Sequence, residues 1–543
     1  MTASTTAQAP ARAALLSTSL EQLDSSLETA SSLLQSQLPV AFPTETVYGV
    51  GASALSSTAV KRIFAAKGRP SDNPLIVHVG GREMLEGLLP TRTTDEGDKT
   101  EIPKMYEALM KKFWPGALSL VFPLPHLEDK KGKGKAVDSS PFAFTPSLTT
   151  SFPPPAASTE QVQYTAPRLA VAPEVTASQP SLCIRMPSHP LALRLIQHSN
   201  LPLAAPSANL SSRPSPTTAA HVMHDLGEGR GVGAVLDGGE CEVGVESTVV
   251  DWVAPANGDE GEGALRILRA GGVTAEEIED CLREAGFSTS SSSTTTGGKD
   301  DKRLVQVYAR DFRSTSLEST PTTPGMKYKH YAPSHAKVVL VRPISAEDAG
   351  PLGPLPSLQD LMQLTALTHT RVTVGTDGET KEERFRVGLM LREETLKDLG
   401  ATALSSTCSC ANPQDEQPER TPSAYSTVSL PPPPPSLFAT LSLGESSNLP
   451  SLSTLTILSY PLGSRTRPIE AAQRLFSGLR LFDELPLDVD GEAAERGDAD
   501  RTGVDLILVE AVEEEGVGLA VMERARKAAG GIEKGGEMEF ALP

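Results

Sequence analysis

Two stretches carry residues whose types and spacing can do chemistry. Pro43-Thr44-Glu45-Thr46-Val47-Tyr48-Gly49-Val50-Gly51 gathers hydroxyls, a carboxylate and a phenol beside two glycines. The apolar approach from Leu38 to Phe42 suits a buried strand. The glycines suit a turn or a close backbone approach to a ligand. In the second stretch, Lys67 and Arg69 close a helical run, and Asn73 and His78 follow within ten residues of Arg69. A guanidinium fork matches phosphate oxygens, and an ammonium meets them as a point charge. Two cations at a helix end can also simply complement its dipole, but with an amide and an imidazole so near they read as the rim of an anion pocket.

Hydroxyls and small residues recur further along, each time at a strand end. Leu203-Ala204-Ala205-Pro206-Ser207-Ala208-Asn209 runs into Ser211-Ser212-Arg213-Pro214-Ser215-Pro216-Thr217. Gly244-Val245-Glu246-Ser247-Thr248-Val249-Val250-Asp251 repeats that chemistry, and Leu265-Arg266-Ile267-Leu268-Arg269-Ala270-Gly271-Gly272 closes the series. Such clusters fit a pocket lined by backbone and hydroxyl groups. No G-x-x-x-x-G-K-[ST] loop, post-strand G-x-G-x-x-G, H-E-x-x-H, C-x-x-C or G-x-S-x-G occurs, so a nucleotide would need a less common cradle. The formal charge of −19 disfavours a general nucleic-acid binder. Five cysteines in 543 residues make no disulfide framework, and no apolar run reaches the ~18 residues of a membrane span.

These residues must be positioned by alternating strands and helices. The spacing predicts helices over 57–67, from Met105 to Phe113, and after the Thr274/Glu277 capping box to about Ala285. It predicts strands at Leu75 to Val79, Leu118 to Phe122, Ser181 to Met186 and Ala234 to Asp237. Residues 1–20 read as a loose, disordered tail, 21–287 as the domain that carries these residues (the catalytic domain under the resemblance given below), and 288–335 as a linker holding a lid passage at 324–333. Residues 336–543 read as a small α/β domain. Low-complexity stretches at 127–168 and about 402–450 read as inserts. A helix is expected near Leu358 to Leu367.

The ordered series P-T-E-T-V-Y-G, K-G-R-P-x-x-N-P-L-I-V-H, F-W-P-G, R-M-P, P-S-A-N, G-V-E-S-T-V-V-D and L-R-x-G-G resembles the L-threonylcarbamoyladenylate synthases with a YrdC-type domain. The passage Lys327-Tyr328-Lys329-His330-Tyr331-Ala332-Pro333 and the second α/β domain look like the long, two-domain form. The resemblance implies a twisted mixed sheet with a concave cavity, plus a smaller C-terminal Rossmann-like α/β domain. It implies that L-threonine, bicarbonate and ATP give L-threonylcarbamoyl-AMP and pyrophosphate, for the t6A modification of tRNA at position 37. By motif, Thr46, His78, Arg185, Ser207 and Ser247 would contact threonine. Arg69, Asn73, Ser181, Asn209, Thr217, Arg269 and Tyr331 would contact ATP, with Tyr331 closing over the nucleotide. Lys67 and Arg69 would be the catalytic cations. Ser181 stands where Thr is usual, Ser212 where Gly is, and Ala270 where Pro is, which touches loop shape rather than chemistry. Mg2+ is expected with ATP, with no protein ligand assigned, and no residue is an obvious general base. Expected partners are the downstream tRNA threonylcarbamoyl transfer machinery and tRNA by transient contact. The expected location is cytoplasmic, with a mitochondrial fraction left open. The competing readings are an RNA-binding module of the same type without catalysis and a carbamoyl transferase of hydrogenase maturation. The second would need zinc-finger and acylphosphatase-like segments that the chain lacks.

Overall fold

The computed structural model describes residues 10–94, 97–100, 102–124, 164–253, 264–287, 304–312, 331–344, 383–399, 436–442, 452–485, 503–530 and 538–541. The chain divides into two compact units. The first is residues 1–210, 218–239 and 246–327; the second takes in Ser211–Thr217, Glu240–Val245 and everything from residue 328.

The first unit is built on an 11-stranded mixed sheet. Its order is Ala14–Ser17, Ala234–Asp237, Val40–Phe42, Gly49–Ser53, Leu203–Ala204, Val77–His78, Ser181–Arg185, Leu118–Pro123, Thr248–Val253, Ala264–Arg269 and Val305–Val307. The register matters more than the order. His78 pairs with Arg185, Arg185 with Ser119, and Ser119 with Val249. Residues opposite each other in neighbouring strands point to the same face, so three polar side chains stand in a row across the sheet. Two residues along, Ile76, Cys183 and Val121 join Val249 and Leu268 in a buried apolar cluster. The polar row thus sits at the end of an apolar floor.

Helices brace this sheet for reasons visible in the sequence. Ser57–Lys67 is capped by the Ser56 side chain, which accepts from Ala59 N at 3.3 Å, and ends at Gly68 with φ 60. The left-handed cap suits a residue without a Cβ. The helix buries Val60, Ile63 and Phe64, and the same turn carries Lys67 inward. Lys104–Phe113 buries Tyr106, whose hydroxyl lies 3.0 Å from Val121 O and 3.2 Å from Val250 O. The Thr274/Glu277 capping box forms as expected at Ala275–Glu284.

The second unit has a six-stranded sheet, ordered Ser436–Ser442, Leu452–Ser459, Glu383–Met390, Leu506–Glu510, Lys337–Ile344 and Met538–Ala541. Every pair is parallel except the first. The 17-residue helix Pro468–Glu484 buries Ala471, Leu475, Phe476, Leu479 and Phe482. The architecture is the expected one, a mixed-sheet α/β unit with a smaller, mainly parallel α/β unit.

Several boundaries differ from the sequence expectation. Ala14–Ser17, placed in the loose tail, is a strand parallel to Ala234–Asp237. Val305–Val307, placed in the linker, pairs with Ala264–Arg269 and extends the first sheet. Tyr164–Thr165 and Ser436–Ser442 are strands within the two stretches read as inserts. All four lie at sheet edges, where pairing with a distant partner, not local pattern, makes the strand. Segments 211–217 and 240–245, assigned to the catalytic domain, cluster with the second unit. The expected helix near 358–367, residues 127–163 of the first insert, and residues 324–330 of the lid passage lie outside the described residues.

Candidate active site

In the first unit the T-E-T turn joins Val40–Phe42 to Gly49–Ser53. Thr44 Oγ1 shapes the turn, lying 2.8 Å from Thr46 Oγ1 and donating to Val47 O at 2.7 Å. Gly51 lets the next strand pass Phe42, because a Cβ there would lie 2.7 Å from its ring. Arg185, at the end of its strand, reaches the turn with all three nitrogens engaged. Nη1 donates to Thr46 Oγ1 at 2.9 Å, Nε to Gly116 O at 3.2 Å, and Nη2 to Glu45 Oε1. The other Glu45 oxygen accepts from Ser188 N at 3.1 Å. The F-W-P-G and R-M-P motifs therefore meet at one guanidinium.

His78 is buried beside Arg185, and its Nδ1 has no hydrogen-bond partner among the described residues. Burial first, and the Arg185 charge second, push its pKa down to about 3. The ring is thus neutral at physiological pH, with one nitrogen left for a ligand. The folded value lies below the ordinary 6.5, so the neutral ring stabilises the fold above that pH, and the contribution is lost as pH falls toward the folded value. The urea midpoint is therefore expected to drop between pH 6.5 and 4, and to drop less in His78→Asn. Equal drops in both proteins would show that other groups carry the acid sensitivity.

Lys67 is 3% exposed. Its Nζ lies 2.5 Å from Ser207 O, 2.6 Å from Asn209 O and 3.4 Å from Asn209 Oδ1. Ser207 Oγ also donates to Asn209 Oδ1 at 2.6 Å. The ammonium thus shapes the P-S-A-N turn and lends it positive charge. Ala208 N donates to Tyr48 O at 2.8 Å, which ties this turn to the T-E-T loop. Arg69 is half-buried, its Nη2 3.5 Å from Asn73 O and Pro74 O. Asn73 is buried, and its Oδ1 has no partner among the described residues.

On the other flank, Arg269 grips the G-V-E-S-T loop. Its Nη2 and Nε donate to Ser247 O at 2.8 and 3.1 Å, and Nη2 lies 3.1 Å from Ser247 Oγ. Ser247 Oγ lies 2.8 Å from Ser119 Oγ, and both hydroxyls are buried.

The structure brings together Thr46, His78 and Arg185, then Lys67, Ser207 and Asn209, then Ser247 and Arg269. Ser181 starts the strand that ends at Arg185, about 13 Å away by strand rise, and makes no side-chain hydrogen bond among the described residues. Thr217 and Tyr331 belong to the second unit. There Thr217 Oγ1 lies 2.9 Å from Ser477 Oγ, and the Tyr331 ring lies 5.1 Å from that of Phe476. Sequence reasoning gave no role to Glu45, Ser119 or the Gly116 carbonyl. Ser119 had one signal, a lone hydroxyl in the otherwise apolar strand Leu118-Ser119-Leu120-Val121-Phe122.

The set suits anions. Its cations converge with amides and hydroxyls, while Glu45 is already held by Arg185 and Ser188. Among the described residues of this unit, no three His, Cys, Asp or Glu ligand atoms converge. No helix among the described residues is long and apolar enough to cross a membrane.

Comparison with known proteins matches both units. The family model described as Telomere recombination covers residues 32–141 and 155–271. The model described as Threonylcarbamoyl-AMP synthase, C-terminal domain, covers 273–530. A Pyrococcus abyssi protein named Threonylcarbamoyl-AMP synthase is 32% identical over 491 residues, 90% of each chain. Proteins of the same name from Schizosaccharomyces pombe and Bacillus subtilis are 39% and 40% identical. Those alignments cover 60% and 57% of this chain, and 66% and 65% of the relatives' own lengths. A crystal structure of a Pyrococcus abyssi protein complexed with L-threonine matches over 97% of this chain and 99% of its own, with TM-score 0.53 and 28% identity.

Proposed function

The chain belongs to the threonylcarbamoyl-AMP synthase family, and from that premise we propose that it makes L-threonylcarbamoyl-AMP and pyrophosphate from L-threonine, bicarbonate and ATP. The product serves t6A modification of tRNA through a downstream transfer machinery, in the cytoplasm. The observation that carries the reading is the polar row itself. Arg185, Thr46 and neutral His78 stand on one side of Ser119, and Ser247 with Arg269 on the other. Buried Asn73 Oδ1 and His78 Nδ1 are left for a ligand.

Threonine's amine and bicarbonate give a carbamate with loss of water. A carbamate oxygen then attacks the α-phosphorus, and the bond to pyrophosphate breaks. Two anions must be brought together, and the residues suit that task. Arg185 and Thr46 hold the amino acid, while Lys67, Arg69 and Arg269 offset the repulsion and stabilise the departing pyrophosphate. Fixing both substrates beside one polar row across the sheet makes the attack effectively intramolecular. The cradle fits phosphate oxygens, and among the described residues of this unit no carboxylate set converges on it, so Mg2+ would accompany the nucleotide.

The test is pyrophosphate release with ATP, omitting threonine or bicarbonate in turn; release that persists without threonine would reject the reading. Arg69→Ala is expected to lower release by about 10²-fold, the effect of one lost electrostatic donor, with an unchanged circular dichroism spectrum. Full turnover by that variant would remove Arg69 from the ATP side.

A further inference from the structure

Ser119 is fully buried, and Ser247 is its one side-chain partner among the described residues, at 2.8 Å. It stands in register opposite Arg185 on one side and Val249 on the other, between the groups assigned to the two substrates. Resting on the reading above, we propose that Ser119 is a positioning residue for threonine, donating its proton to Ser247 Oγ so that the Ser247 proton is left for an anionic substrate oxygen.

A hydroxyl carries one proton and two lone pairs. Ser247 Oγ already faces Arg269 Nη2 at 3.1 Å, and a guanidinium can only donate, so one lone pair of Ser247 is taken. Two arrangements of the serine pair remain. If Ser247 donates to Ser119, it meets the substrate with a lone pair, and two acceptors face each other. If Ser119 donates to Ser247, both lone pairs are filled, and the proton of Ser247 points away from its two partners. Only the second arrangement suits an anionic carboxylate or carbamate oxygen. A donor polarised by Arg269 and Ser119 together is also a stronger one. Ser119 reaches the substrate only through Ser247, since it is sealed in the strand Leu118–Pro123.

The test is a set of full-length variants assayed by steady-state kinetics, with threonine binding measured by calorimetry. Ser119→Ala is expected to raise KM and Kd for threonine about 3- to 10-fold, the effect of one net hydrogen bond, with KM for ATP within about two-fold. Ser119→Thr keeps the hydroxyl and should stay near wild type. Ser119→Val has the same shape without the hydroxyl and should match Ser119→Ala, which separates the proton from packing. In a Ser247→Ala background, Ser119→Ala should add nothing to the threonine Kd, because the partner is gone. Equal behaviour of Thr and Val at position 119, or a full penalty in the Ser247→Ala background, would overturn the proposal. The Ala variant and the double-mutant comparison keep the question decidable even if the larger side chains fail to fold. A wild-type enzyme that needs threonine while Ser119→Ala leaves threonine binding unchanged sinks this proposal alone. A wild-type enzyme that ignores threonine sinks the functional reading with it.

Discussion

Replacing Lys67 by Met is expected to cut threonine-dependent pyrophosphate release by about 10²- to 10³-fold, the loss seen when one preorganised charge is removed from a transition state. Met keeps the length of the side chain and most of its packing. What disappears is the ammonium that lies within 3.4 Å of Ser207 O, Asn209 O and Asn209 Oδ1. Oxygens left buried without a donor each cost about 1–3 kcal/mol, so the P-S-A-N turn should loosen as well. The lost charge acts on the nucleotide side, while the loosened turn carries Ser207 as well as Asn209, so KM should rise for both substrates, and more for ATP. Lys67→Arg should not restore the rate. A planar fork cannot collect three converging oxygens as a compact ammonium does. Measuring release with each substrate varied in turn decides the matter. A Lys67→Met enzyme retaining a third of wild-type turnover would show that the charge merely braces the turn.

Much of this site could be read from residues alone, where the chemistry is local. The Gly68 cap, the Thr274/Glu277 capping box and the hydroxyl clusters at strand ends each carry their reason in a few adjacent positions. What stayed hidden depends on register. Ser119 stands out locally only as a lone hydroxyl in an apolar strand; its place in the site emerges when that strand pairs with the Arg185 strand on one side and the Thr248–Val253 strand on the other. Glu45 was visible as a carboxylate, but its pairing with Arg185 joins residues 140 apart in sequence. The edge strands Ala14–Ser17 and Val305–Val307 are too short for periodicity to reveal. Thr217 is the instructive case. Its motif points to a nucleotide, and in the fold its hydroxyl also lies 2.9 Å from that of Ser477, 260 residues away. No rule of local sequence anticipates such a pairing, because its partner is chosen by a helix from the other end of the chain.

Gly271→Ala is expected to lower pyrophosphate release by about 10²-fold, the penalty for displacing a reacting group by about 1 Å. A Cβ at this position would lie 2.3 Å from Ser247 C, 2.3 Å from Thr248 N and 2.4 Å from Glu246 O. All three are backbone atoms, so no side chain can rotate out of the way. The L-R-x-G-G segment must instead move off the G-V-E-S-T loop. Two residues earlier on that segment, Arg269 holds Ser247 O at 2.8 Å and Ser247 Oγ at 3.1 Å, and Gly272 N donates to Glu246 O at 3.2 Å. Separating the strands stretches all of these together. Overpacking of this kind costs about 1–3 kcal/mol, enough to deform the loop and too little to unfold a sheet of 11 strands. The variant should therefore remain folded by circular dichroism while its KM values for both substrates rise, since the proposed function gives Ser247 to threonine and Arg269 to ATP. Gly81→Ala is the matching control. A Cβ there meets nothing within 4 Å, and its φ of 170 is extended backbone open to any residue, so activity should stay within about two-fold. If Gly271→Ala is as active as Gly81→Ala, the two loops have room to part without losing Arg269, and the tight contact is a matter of packing rather than of catalysis.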